Sequence, residues 1–353
     1  MNIIKIKLIS DHLHIRKLFN GKASSGLSAG NALNIMRTIM RTVFLCALSE
    51  MSIQHVEGQE VVRSTYTYKT VGDLSIHADV YQKPGDKVQP VIFWIHGGAL
   101  IMGNRRGLNT IQAEKYLNAG YTIISIDYRL APQVKLKQII EDLEDAYRWV
   151  RTEGPKLFRI DPDRIAVVGH SAGGYLALMA GFVLKPSPRA VVSFYGYGDI
   201  AGEWYSRPDP FYNRQSPVTK EEAYQAAGTH VISDDQSGNR DRFYLYCRQQ
   251  GIWPEAVSGY NVTVDKDRLI RFCPARNVKS DYPPTLLLHG DQDTDVPYEQ
   301  SLQMSAQLKQ HKVENELITI KDGPHGFDSN TKDPVVKLAL ERVVVFLKQH
   351  LQG

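Results

Sequence analysis

Cysteine is scarce in this chain of 353 residues: Cys46, Cys247 and Cys273 are the whole complement. Three thiols without paired spacing exclude a disulfide-built scaffold and a thiolate metal cage. Cys247 and Cys273 lie in one segment, so a single bridge stays open for an exported protein, beside the plainer reading of two free thiols. Long apolar runs are lacking too. No stretch approaches the roughly 20 apolar residues that cross a bilayer, which excludes an integral membrane helix. A one-sided charge is also missing, since 42 Lys and Arg stand against 38 Asp and Glu for a net +4. Without a dense basic stripe and interleaved aromatics, nucleic acid is not an expected partner. Internal repeats and low-complexity tracts are absent.

What remains is ordinary globular material, 42% hydrophobic and 23% charged, with enough apolar residues for a large core. Residues 1–60 do not resemble the rest. Ile35, Met36, Ile39, Met40, Val43, Phe44, Ala47 and Leu48 fall on one helical face. Three readings stay open there: an amphipathic cap helix, a signal-like segment over 36–50, or an upstream extension of a chain starting at Met36 or Met40. The apolar run Val43–Leu48 is shorter than the roughly 7–15 residues of a secretory signal. Compartment (cytoplasmic or secreted) and oligomeric state (monomer or dimer) are left open with it.

From about Val61 the pattern is clearer. Val61–Lys69 and Leu74–Gln82 alternate in polarity around Val71-Gly72-Asp73 and predict an antiparallel hairpin, with Leu74, Ile76, Ala78 and Val80 inward. Short, wholly apolar runs follow: Val91–Ile95, Tyr121–Ile126, Ile165–Val168, Ala190–Phe194 and Thr285–Leu288. Such runs suit parallel strands buried on both faces. Helical stretches such as Lys137–Arg151 lie between them, so residues 61–353 predict one α/β domain with a mostly parallel sheet. Residues 196–282 interrupt the alternation. A segment that long is not a plain loop, and it predicts a cap inserted after the sixth strand, with helices at Lys220–Ala227 and Asp241–Gln249.

The chemistry concentrates at a few points. Gly169-His170-Ser171-Ala172-Gly173 follows the strand Ile165–Val168 and precedes a helical run, the setting a nucleophile elbow requires. A serine hydroxyl needs a base to take its proton. Among the histidines beyond Ser171, His325 sits in a turn-rich loop between the strand Glu316–Ile320 and the last helix. His311 and His350 lie near polar helix ends, and His289 precedes an acidic loop. That loop, Gly290-Asp291-Gln292-Asp293-Thr294-Asp295, offers three carboxylates, any of which could orient an imidazole. Spacing does not choose among them. His96-Gly97-Gly98 ends another strand, and its bare main chain predicts an oxyanion hole from the N–H groups of Gly97, Gly98 and Ala172. His96 reads as a loop anchor and His170 as a residue packed beside the site.

Together these pieces resemble the hormone-sensitive-lipase-like branch of α/β-hydrolase esterases. The resemblance rests on His96-Gly97-Gly98-Ala99, Asp127-Tyr128-Arg129-Leu130-Ala131-Pro132, Asp161-Pro162-Asp163-Arg164-Ile165, the elbow itself and His325-Gly326-Phe327. It implies the α/β-hydrolase fold and places the acid of the family's loop on Asp293. The chain departs from that branch at His170 and Gln133, where acidic residues are usual, and in the position of its cap. The His-Gly-Gly loop is also similar to that of acetyl-xylan and feruloyl esterases. The expected function is a serine carboxylesterase acting on short-chain acyl esters through Ser171, His325 and Asp293, with no metal or organic cofactor. Its only expected partner is a small-molecule ester, and Trp204, Tyr205, Phe211, Tyr212 and Trp253 are candidates for the pocket or for the core of the cap. A carbohydrate esterase is the alternative within the class. A non-catalytic binding protein on the same scaffold is the alternative outside it; such receptors lose the base histidine, which is present here.

Overall fold

The computed structural model of the protein describes residues 51–56 and 59–352. The helical face at 35–48, the signal-like stretch over 36–50 and Cys46 lie outside the described residues.

The framework is one mixed sheet of nine strands among the described residues. They are β1 (Met51–Val56), β2 (Gln59–Val71), β3 (Leu74–Gln82), β4 (Gln89–Ile95), β5 (Thr122–Ile126), β6 (Ile160–His170), β7 (Ala190–Phe194), β8 (Thr285–Gly290) and β9 (Asn315–Ile320). Their order across the sheet is β1-β2-β3-β5-β4-β6-β7-β8-β9. The first three and the β3–β5 pair are antiparallel, and every pair from β5 to β9 is parallel. The predicted hairpin forms as read, with a register shift between Thr67 and Lys69. Ile76, Ala78 and Val80 are buried and Leu74 only half-buried. The sheet begins at Met51, ahead of the point where alternation becomes readable, so the long insertion follows the seventh strand and not the sixth.

The parallel strands are apolar along their length because both faces are covered. Phe93, Ile95, Val167 and Val191 turn to one core, shared with the helices α2 (Leu136–Thr152), which the short α3 (Gly154–Leu157) follows, and α4 (Ala172–Val183). Ile92, Trp94, Val168 and Val192 turn to the other, shared with α1 (Thr110–Asn118) and the last helix, Pro334–Leu351. The chain winds from β4 to β5 on one side, then crosses to β6 on the other. In open α/β sheets the crevice beyond the carboxyl ends at such a switch is where ligands sit. Here those two ends carry the His-Gly-Gly loop and Ser171.

Between β7 and β8 runs the inserted segment. Lys220–Ala227 and Asp241–Gln250 are helical, close to the predicted bounds, joined by shorter pieces such as Trp253–Ser258. Its interior is aromatic: Tyr205 stacks on Trp253 with ring centroids 4.0 Å apart, and Tyr197 meets both edge-on. Cys247 and Cys273 are buried free thiols, not a disulfide. Burial pushes both thiols up to about 12. No helix of the described residues is long and apolar enough to cross a membrane.

Candidate active site

Strand β6 ends on His170, and the chain turns at once into α4. The turn is sharp enough to force Ser171 to φ 54° and ψ −119°, a conformation that a residue with a side chain adopts only under strain. Two contacts hold it. The Ser171 N–H donates to Phe194 O on the adjacent strand, at 2.9 Å, and Ser171 O accepts from Tyr175 N in the helix, also at 2.9 Å. Gly173 lies so close to β4 that a Cβ there would sit 2.1 Å from Ile95 O, so only glycine lets helix and strand approach. Ser171 therefore stands at the N-terminus of a 12-residue helix, whose dipole favours negative charge.

The hydroxyl has an imidazole in reach. His325 Nε2 lies 3.1 Å from Ser171 Oγ, and His325 Nδ1 lies 2.7 Å from Asp293 Oδ2. Asp293 accepts the Nδ1 proton, which leaves Nε2 free to accept from the serine. Asp293 is itself well anchored: its Oδ1 accepts the N–H groups of Asp295 (2.8 Å) and Val296 (2.9 Å). Burial would raise its pKa, but hydrogen bonds from His289 and His325 win, and the carboxyl is held well below its usual range.

His289 is the participant that the sequence reading left out. Its Nε2 faces Asp293 Oδ2 at 3.2 Å and Val296 O at 3.0 Å, two acceptors that require the proton on that nitrogen. Ser301 Oγ then donates to Nδ1 at 2.7 Å. The sequence signal was there, because His289 and Asp293 are four residues apart across the tight turn that ends β8. The other carboxylates differ. Asp291 accepts the N–H of Asp322 at 2.6 Å and stays away from His325, whereas Asp295 Oδ2 lies 3.5 Å from His325 Nε2.

The His-Gly-Gly loop is fixed from several sides. Gly98 has φ +102°, and a Cβ there would fall 2.2 Å from Met102 O. Its carbonyl accepts from both Ile101 N and Met102 N at 2.9 Å. His96 stacks on Tyr128 with centroids 4.2 Å apart, and its Nδ1 lies 2.7 Å from Gly97 O. Burial draws the His96 imidazole down to about 4, so it is a neutral anchor. Below the loop, Arg105 is held by Asp79 and Asp127. The inserted segment reaches it too. Trp253 Nε1 donates to Ala99 O at 3.0 Å, while the buried Arg240 donates to Ile101 O (2.7 Å), Ala131 O (3.0 Å) and Ala227 O (2.7 Å). Among the described residues, the N–H groups of Gly97, Gly98 and Ala172 donate to no backbone or side-chain acceptor.

The aromatic candidates part company. Tyr205 and Trp253 are core residues of the inserted segment, and Trp204 stacks on Tyr205 at 3.6 Å. Phe211 is 40% exposed. Tyr212 alone of this group reaches the acid loop, donating from its hydroxyl to Asp295 Oδ1 at 2.8 Å. A cavity of about 350 Å³ adjoins the His-Gly-Gly loop, lined by Trp94, His96, His170, Tyr195 and Asp328 among others. His170 stacks on Phe194, as expected for a residue packed beside the site. Among the described residues, no group of three or more His, Cys, Asp or Glu side chains is arranged to hold a metal ion.

Three comparisons with known proteins bear on this arrangement. A non-reducing polyketide synthase, adrD of Penicillium rubens, is 26% identical to the chain over 339 residues, which is 82% of this chain and 14% of that protein. The chain thus spans only about a seventh of that relative. A Staphylococcus aureus protein of unknown function superposes with a TM-score of 0.68 at 25% identity, covering 82% of this chain and 99% of that one. An α/β-hydrolase superfamily protein from Enterococcus faecalis superposes with a TM-score of 0.65 at 23% identity, covering 80% and 97%. The fold is that of the α/β-hydrolases. The BD-FAE family model matches residues 78–308, more than half of the sequence. By that match, with the fold and the elbow in accord, the chain belongs to the BD-FAE family.

Proposed function

We propose that the chain is a serine carboxylesterase that hydrolyses short-chain acyl esters through a covalent acyl-enzyme. The observation that carries the reading is the continuous path from Ser171 Oγ through His325 to Asp293, at 3.1 Å and 2.7 Å. In the first step His325 Nε2 takes the Ser171 proton as Oγ attacks the ester carbonyl carbon. The negative charge that develops on the carbonyl oxygen meets the unengaged N–H groups of Gly97, Gly98 and Ala172. Asp293 holds the imidazole in the needed tautomer and stabilises its cation. His325 then passes the proton to the departing alcohol oxygen. Water repeats the sequence on the acyl-enzyme and releases the acid. The close-packed aromatics of the inserted segment favour small acyl groups.

The test is hydrolysis of p-nitrophenyl esters from acetate to palmitate beside Ser171→Ala. A fall of about 10⁴-fold or more in kcat, with an unchanged melting temperature, is expected, and activity should peak at two to four carbons. A folded wild-type protein without turnover on any ester sinks the reading and favours a binding protein instead.

A carbohydrate-linked ester is favoured by one further observation. The cavity beside the His-Gly-Gly loop is lined in part by the polar side chains of Asn104, Asn109, Asp328 and Ser329. Such side chains suit a leaving group rich in hydroxyls. Acetylated oligosaccharides turned over with a higher kcat/KM than p-nitrophenyl acetate would select this reading.

A further inference from the structure

The loop that supplies Asp293 carries a second carboxylate two residues later, which the scheme above leaves idle. Asp295 Oδ2 lies 3.5 Å from His325 Nε2, the same nitrogen that meets Ser171 Oγ. Its other oxygen is fully committed. Oδ1 accepts the hydroxyls of Tyr212 and Tyr244 and, at 3.0 Å, Arg248 Nη1. Arg248 also donates to the Asp295 main-chain oxygen at 2.9 Å and is gripped on its far side by Asp209. Its guanidinium lies 4.7 Å from the ring centres of both Tyr205 and Tyr212. Asp209, Tyr212, Tyr244 and Arg248 all belong to the inserted segment. Only 2% of the Arg248 side chain and 17% of Asp295 is exposed, so water screens these charges little.

We propose that Asp295 is a second positioning residue for the catalytic histidine, facing Nε2 as Asp293 faces Nδ1, and that the inserted segment holds it there. The inference rests on the Ser171–His325–Asp293 reading. When Oγ attacks, its proton moves to Nε2, and the new N–H has two neighbouring acceptors, the serine oxygen and Asp295 Oδ2. The carboxylate makes no covalent bond. It favours the imidazolium, which eases proton removal from serine and makes proton delivery to the leaving alcohol harder.

The surroundings agree on the sign. Asp293 and Asp295 face the ring from the acid loop, and Asp328 adds negative charge from the loop of His325 itself. Tyr195 packs on it at 4.6 Å and is kept neutral by burial. The positive Arg248 acts only from behind Asp295, and His289 and His170 act through Asp293 and Asp328. Burial pulls the His325 pKa down, but the Asp293 hydrogen bond and the charges of Asp295, Asp293 and Asp328 outweigh it, leaving the value above the ordinary 6.5. The neutral base is lost as pH falls through that raised value. The acidic limb of kcat/KM is therefore expected at a higher pH than an ordinary imidazole would give.

Asp295→Asn keeps the shape and an acceptor for its neighbours while removing the charge. The acidic limb and the His325 ring titration followed by NMR should both move down by about one pH unit. Asp291→Asn removes the same charge from the same loop without touching Nε2, and it should leave both in place. If Asp295→Asn does not fold, Asp295→Ser provides the same readout with the same expected direction. The NMR titration needs no substrate, so failure of the esterase reading appears as absent turnover with the titration shift intact. A His325 titration unmoved by loss of the Asp295 charge, or moved equally by Asp291→Asn, overturns the proposal.

Discussion

Strand Ala190–Phe194 is buried throughout and helix Asp241–Gln250 along one face, and they bury different things. The strand and its neighbours contribute aliphatic side chains such as Val191, Val192, Leu286 and Leu287, all fully enclosed. The helix contributes Phe243, Tyr244, Cys247 and Arg248, within a segment whose Arg240 is also enclosed. An aliphatic interior is held by area and packing, which carry no direction. The inserted segment adds to its aromatic interior a set of buried hydrogen bonds and ion pairs, which fail unless every partner is in place. One region tolerates change in proportion to the volume lost. The other depends on who meets whom.

That contrast can be broken by substitution. The largest effect is expected from Arg248→Met, which leaves Asp209 and Asp295 without their buried cation. Breaking such a pair costs about 3–5 kcal/mol, measured by urea unfolding. A loss under about 1 kcal/mol would remove the polar account of the insertion. Leu287→Ala in strand β8 tests the other side. It should cost about 2–5 kcal/mol through lost contact and a residual cavity. Refilling with Leu287→Met should recover most of that loss, as volume-conserving exchange does in packed cores.

The sharpest comparison uses one chemical change in both places. The hydroxyl of Tyr244 donates to Asp295 and lies 3.0 Å from Arg248 Nη1, so Tyr244→Phe should cost about 1–3 kcal/mol. The buried hydroxyl of Tyr121 in the framework has no partner among the described residues. Tyr121→Phe should change stability by less than about 1 kcal/mol, in either direction. Equal losses in the two variants, read from their urea midpoints, would erase the distinction.

The same contrast explains how much was legible in advance. Strand Ala190–Phe194 and helix Lys220–Ala227 have the bounds that their hydrophobic patterns predict, because those patterns record burial directly. Ser171 and His325, expected from spacing, and Asp293, expected from the family resemblance, come together because the loops after β6, β8 and β9 all lie at the same end of the parallel sheet. The insertion was legible only as an interruption with two helices. Periodicity could not say that Tyr205 enters the core while Phe211 stays exposed, or that Tyr212 seeks Asp295. Directional contacts between distant residues leave no repeat in the sequence. His289 was passed over for a related reason, as a polar residue at the end of a buried strand whose partner follows a turn.

Arg240 has a mechanical consequence. Its enclosed guanidinium spans main-chain oxygens of the His-Gly-Gly loop, the Ala131 turn and the insertion's own helix. A peg through three pieces of chain prevents the insertion from swinging as a hinged lid, since any opening would strip several hydrogen bonds from a charge with no water to replace them. The insertion is thereby riveted to the framework as a fixed bracket.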